Sequence, residues 1–108
     1  MTENKKKLYC YILKLRPAFY RKEDWTDKEV EIVGIHFNYL KDYAKKGILF
    51  LAGRTVNEPM TEKDLGIVIL ETETEIEAQN IMENDPAVKD GLMTAELFTF
   101  SLALMRRE

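Results

Sequence analysis

Residues 47–70 read GILFLAGRTVNEPMTEKDLGIVIL. This stretch contains two short apolar runs, residues 48–53 and 65–70, separated by a polar segment rich in turn-forming residues. Apolar runs of this length, bounded by glycine, proline and polar clusters, are typical of buried strands and too short for separate helices. We therefore predict two strands that form an antiparallel hairpin with a long loop.

A helix is predicted on each side of this hairpin, because both flanking segments open with the same capping pattern. Thr26 and Thr74 are each followed three residues later by a glutamate, which is the spacing of a capping box. The first helix is predicted over residues 27–46. The second is predicted over residues 74–85, where Pro86 prevents its continuation.

Two further strands complete the pattern. Residues 8–15 (LYCYILKL) are rich in aromatic and β-branched residues, and residues 94–104 form the last apolar segment. The resulting order, β-α-β-β-α-β, predicts a ferredoxin-like α+β fold: a four-stranded antiparallel sheet with two helices on one face. We predict that residues 1–108 form a single domain.

The first three predicted strands are apolar on both faces, although two helices can cover only one face of a sheet. In the first strand, for example, Tyr9, Tyr11 and Leu13 alternate with Leu8, Cys10 and Ile12. A second apolar face predicts a homodimer in which the sheets of two copies pack together. The alternatives are that this face holds a large ligand or is simply apolar.

Composition excludes several classes of function. The 108 residues include 16 basic and 19 acidic residues, a net charge of −3, and the two signs are interspersed, which argues against a nucleic-acid or anionic-membrane surface. No apolar segment approaches the roughly 20 residues of a membrane span. A single Cys and a single His exclude an intrachain disulfide, a Cys-x-x-Cys motif and a structural zinc site. We predict a cytoplasmic protein without a cofactor.

His36 is the first candidate for chemistry, since it is the only histidine. On a helical wheel with Val30 at zero, the predicted apolar stripe centres at about 310° and His36 falls at about 240°. A position on the margin of the buried stripe suits a proton-transfer group. It also suits a histidine that only hydrogen-bonds to a backbone carbonyl. The stripe consists of Val30, Val33, Phe37, Leu40 and Ala44.

Asp85 is the second candidate. It follows Ala78, Ile81 and Met82 at helical spacing, so that a carboxylate stands where an apolar residue is expected. An unpaired buried carboxylate is unfavourable, and Asp85 should therefore meet His36, an arginine or free amide groups. Alternatively, Asp85 caps the turn that follows Pro86.

Four further residues are predicted to bind a substrate. Gly53 would allow a ligand to approach the backbone, and Arg54 and Arg16, at the ends of two strands, would offer guanidinium groups to an anion. Tyr43 would line a pocket for a planar ligand. The simpler interpretation is that both arginines are surface cations and that the tyrosine packs.

The sequence resembles the YCII-related (YciI-like) family, whose members have a ferredoxin-like fold and pair into dimeric α+β barrels. The resemblance implies that His36 and Asp85 form an active-site pair, and in one branch it implies removal of chloride from a hydroxylated aromatic. Arg54 stands where the family usually has proline, and Ala87 where it usually has phenylalanine. The matching segments are His36–Leu40, Gly47–Gly53, Glu77–Ala78, Asp85–Pro86, Gly91–Leu92 and Leu97–Phe100.

These observations predict an enzyme in which a His36–Asp85 pair performs proton transfer, of lyase or isomerase type, on a small aromatic or enolisable substrate. The alternative is a homodimer without catalysis that binds a small ligand or is purely structural. A third hypothesis is a haem-binding protein or a cofactor-free oxygenase, with His36 as a lone axial ligand. A colourless protein whose spectrum is unchanged by added haem would remove it.

Overall fold

The computed structural model describes residues 6–106, so residues 1–5 and 107–108 of the predicted domain lie outside the described residues. Four strands and two principal helices follow the predicted order. A third, short helix follows the second, and two 3₁₀ turns lie between the first strand and first helix. The elements are β1 (Lys7–Leu15), α1 (Asp27–Lys45), β2 (Leu49–Arg54), β3 (Gly66–Thr72), α2 (Glu75–Glu83), α3 (Pro86–Lys89) and β4 (Met93–Phe100).

The four strands form one antiparallel sheet in the order β2-β3-β1-β4. The ferredoxin-like fold predicted from the sequence is therefore confirmed. The central strands β1 and β3 pair with Tyr11 opposite Val68, and both side chains are buried on the face covered by the helices. This central pair forms the base on which α1 and α2 pack.

Both predicted capping boxes are present, at Thr26 and at Thr74. The buried face of α1, however, differs from the predicted stripe: Val30 and Phe37 are 61% and 63% exposed. Of the predicted stripe, Leu40 is buried and Val33 is half-buried. Ile32, which the stripe omits, is also buried, and the half-buried tyrosines lie on the same side of this helix. The buried face thus centres at about 240° on the wheel, which is the position of His36. The predicted stripe is displaced because it includes Phe37 and omits the tyrosines, whose rings bury well when their hydroxyls are hydrogen-bonded.

Two predicted boundaries are also wrong. Helix α2 ends at Glu83, and Asp85 is the N-cap of the separate short helix α3. Strand β4 ends at Phe100 and does not continue to residue 104. Phe100 pairs with Leu8, close to the first residue of β1, so residues beyond it have no ladder partner. The sequence shows apolar residues there but does not show where the neighbouring strand begins.

The sheet face opposite the helices is apolar, as predicted. Cys10 and Ile69 lie at its centre, on β1 and β3, and burial raises the pKa of the Cys10 thiol. Towards the edges, Leu51 and Phe98 are each 45% exposed. Within residues 6–106, no helix is both long and apolar enough to cross a membrane.

Candidate functional site

The carboxylate of Asp85 is the centre of the candidate site. Its side chain is fully buried, and it accepts hydrogen bonds from three different elements. Tyr11 on β1 donates its hydroxyl to Oδ2 at 2.8 Å, and the backbone N–H of Ala87 donates to Oδ1 at 3.0 Å. His36 on α1 places Nδ1 2.6 Å from Oδ1. Both sequence interpretations of Asp85 therefore apply, since the same carboxylate caps α3 and pairs with the histidine.

The His36 ring is held by this contact in one orientation. Because a carboxylate can only accept, this contact requires the proton on Nδ1 and leaves Nε2 as the ring nitrogen available for proton transfer. The side chain retains 14% of its exposure, so one part of the ring is buried against Asp85 and another can be reached. The separation of 2.6 Å is a hydrogen-bonding distance.

Tyr11 fixes the other side of Asp85. Its side chain is fully buried on β1, and burial, together with the neighbouring Asp85 carboxylate, raises its pKa far above that of an ordinary tyrosine. The hydroxyl therefore remains protonated and donates to Asp85 throughout the physiological pH range. A fixed donor of this kind holds the carboxylate in position and stabilises its negative charge.

A cavity of about 410 Å³ opens beside His36. It lies between α1, the ends of β1 and β2, the start of β3 and the two loops that follow β1 and β2. Its size falls in the range of sites for small molecules, about 300–1,000 Å³. His36 lines the cavity whereas Asp85 lies behind it, so the histidine is the member of the pair that a ligand would meet.

The loop between β2 and β3 forms one wall of this cavity and is organised around Asp64. That carboxylate is buried and accepts hydrogen bonds from Asn57, Thr55 and both the backbone and the hydroxyl of Thr61. The bonds from Asn57 and Thr55 contribute most to lowering the pKa of Asp64 to about 2. Met60 of the same loop donates its backbone N–H to Tyr20, which joins the two loops.

The low pKa of Asp64 predicts a pH-dependent contribution to stability. Since the folded-state pKa is below the ordinary value of 3.8, the contribution is complete above that pH and is lost as the pH falls towards about 2. The melting-temperature difference between the wild type and Asp64→Asn should therefore be constant near neutrality and shrink below pH 4. Asp42→Asn, at an exposed position on α1, serves as the control. A difference that does not change with pH would contradict this role.

The structure brings together four of the six predicted site residues. His36, Gly53 and Arg54 line the cavity, and Asp85 contacts His36 from behind. The other two lie elsewhere. Arg16 is exposed, and its backbone N–H donates to Leu92. Tyr43 packs against the core, edge-on to Tyr39.

Three residues of the site were not predicted to act there. Tyr11 is predicted only as an apolar residue of the first strand, although a tyrosine on the buried face of β1 also has a hydroxyl that needs an acceptor. Lys22 and Trp25 reach the cavity from the loop after β1, and no sequence pattern indicates this long-range contact. Within residues 6–106, no group of three or more His, Cys, Asp or Glu side chains could hold a metal ion.

Comparison with known families identifies the family to which the chain belongs. The profile of the YCII-related domain matches residues 8–101, and the chain therefore belongs to the YCII-related family. The resemblance seen in the sequence is confirmed. A search of curated proteins found no match.

One similar solved structure is 5-chloro-2-hydroxyhydroquinone dehydrochlorinase from Burkholderia phenoliruptrix, determined in complex with 2,5-dihydroxybenzoquinone. It is 23% identical to this chain, with a TM-score of 0.65, and the match covers 89% of this chain and 95% of that one. The likeness extends over nearly the whole of both chains, and at this identity it establishes a shared fold.

Proposed function

We propose that this protein is a cytoplasmic enzyme of lyase or isomerase type that moves protons on a small aromatic or enolisable substrate. His36 is the proton acceptor and donor, and Asp85 is the positioning residue behind it. The observation that supports this function most strongly is the 2.6 Å contact between His36 Nδ1 and the fully buried Asp85 carboxylate, next to a cavity that the histidine lines.

The arrangement suits proton transfer for a physical reason. A carboxylate that accepts the Nδ1 proton fixes the tautomer, so that Nε2 carries the lone pair. When Nε2 takes up a proton, the adjacent negative charge stabilises the imidazolium that forms. Because Asp85 is itself held by Tyr11 and Ala87, little reorganisation accompanies this change.

The dehydrochlorinase of the same fold suggests the type of reaction. Loss of HCl from a chlorinated hydroxyhydroquinone needs no external oxidant. A proton moves from a ring hydroxyl to the chlorine-bearing carbon, and loss of a second hydroxyl proton then expels chloride with the electrons of the C–Cl bond. In our proposal His36 Nε2 carries each of these protons in turn.

Turnover measurements with two kinds of probe test this function. The first probe is 5-chloro-2-hydroxyhydroquinone, from which chloride release is measured. The second is a cyclic 1,3-diketone, which is enolisable and whose uptake of solvent deuterium is measured. We expect a saturable rate above that of buffer with at least one probe. Equal rates with and without the protein for both kinds of probe would refute the proposal.

The apolar sheet face supports a homodimer as part of this proposal. A partner sheet would cover Leu51 and Phe98 at its edges, and apolar patches of this kind are typical of interfaces. Phe98→Glu should therefore shift the mass measured by light scattering from that of two chains towards that of one. Ile76→Glu, an equivalent change at an exposed position on α2, should leave the mass unchanged. A monomeric wild type would contradict this assembly.

A further inference from the structure

We infer that the substrate is an anion at neutral pH, a planar aromatic or enolic acid whose negative charge is held by Arg54 and Lys22. This inference rests on the proposed function and deepens it by naming the substrate class. Both cations line the cavity that His36 also lines. They come from different parts of the chain, Lys22 from the loop after β1 and Arg54 from the end of β2.

Neither cation is neutralised by a carboxylate within residues 6–106. Lys22 Nζ lies 5.6 Å from the centre of the Trp25 ring, and Arg54 Nη1 lies 3.9 Å from the sulfur of Met60. Neither of these contacts brings a negative charge. Both cations therefore keep their charge available to a ligand.

Among the described residues that line the cavity, Asp64 is the only carboxylate. Both of its oxygens accept hydrogen bonds from the β2–β3 loop itself, from Thr55, Asn57 and Thr61. Its charge is thus engaged within the wall. The charged or titratable lining groups that remain free to bind a ligand within residues 6–106 are two cations and the histidine, which favours an anion.

The remaining walls favour a flat apolar body. Trp25 and Phe37 contribute rings, and Leu40, Val68 and Met93 contribute aliphatic or thioether surface. A largely apolar pocket with a few polar groups is typical of sites that orient a small molecule. An aromatic or enolic acid has both the apolar body and the charged group that this lining requires.

The two cations also suit the proposed chemistry. Removing a proton from a bound anion gives a second negative charge, which is unfavourable in a cavity with apolar walls. Fixed positive groups at the place where this charge develops stabilise it, and this is a common source of catalysis. Arg54 and Lys22 would then contribute to binding and to the proton transfer at His36.

Calorimetric titration with benzoate and benzamide tests the inference, because the two probes have nearly the same shape and differ in charge. The wild type should prefer benzoate. Arg54→Gln and Lys22→Gln should each weaken benzoate binding about tenfold or more, and each should change benzamide binding less than about twofold. Lys41→Gln makes the same change in net charge at an exposed position on α1 and should leave benzoate binding unchanged.

Three results would overturn the inference: equal affinities for benzoate and benzamide, equal effects of Arg54→Gln and Lys41→Gln, or no benzoate binding at millimolar concentration. The titration involves no turnover, so its outcome is separate from that of the proposed function. A protein that prefers benzoate through Arg54 and Lys22 but turns over no probe would retain the anion site and refute the catalysis.

Discussion

Asp85→Ala is expected to lower the free energy of unfolding by about 3–5 kcal/mol, because a buried donor left without its acceptor costs about 1–3 kcal/mol and this carboxylate has three donors. The substitution leaves the Tyr11 hydroxyl, the Ala87 N–H and His36 Nδ1 without their acceptor, two of them in a fully buried setting. It also removes the cap of α3. Chemical denaturation followed by circular dichroism measures this loss.

Asp42→Ala provides the matched control, because Asp42 is an exposed aspartate on α1. We expect its unfolding free energy to lie within about 0.5 kcal/mol of the wild type. If Asp85→Ala were no more destabilising than Asp42→Ala, the carboxylate would not be the organising centre of the site. That result would contradict the account without depending on any assumption about the substrate.

His36→Gln should reduce kcat about 10²–10⁴-fold for whichever probe the wild type turns over. Glutamine can still donate an N–H to Asp85, but its amide cannot accept and return a proton at neutral pH. The unfolding free energy should therefore change little. A steady-state assay with a parallel denaturation measurement separates the loss of chemistry from a loss of folded protein.

Lys41→Gln, on the same helix but exposed to solvent, should retain the wild-type kcat. A His36→Gln enzyme with kcat within a few-fold of the wild type would mean that another group transfers the proton. The site would then favour the alternative of a homodimer that binds a ligand without using its histidine.

The fold could be predicted from sequence because its signals are local. Two capping boxes mark the helix starts, and short apolar runs between turn residues mark the strands. The errors concern features that depend on contacts distant in sequence. The end of β4 is set by where β1 begins, and the buried face of α1 is set by tyrosines packed against the sheet.

The residues of the candidate site could be predicted where their signal is local, but the contacts between them could not. Asp85 was recognisable as a polar residue in an apolar position, and the single histidine was its natural partner. The two lie 49 residues apart, and the sequence could not show that they touch. Tyr11 and Lys22 were missed because their roles depend on which side of a strand or loop faces the site, which emerges only from packing.

Nuclear magnetic resonance of the His36 ring nitrogens tests the central claim most directly, because the chain has one histidine and its signals need no assignment. We predict that the neutral ring carries its proton on Nδ1, that Asp85→Asn weakens this preference, and that benzoate or 2,5-dihydroxybenzoquinone shifts the Nε2 signal. A proton on Nε2 in the neutral ring, with no response to either ligand, would contradict a proton-transfer site at His36.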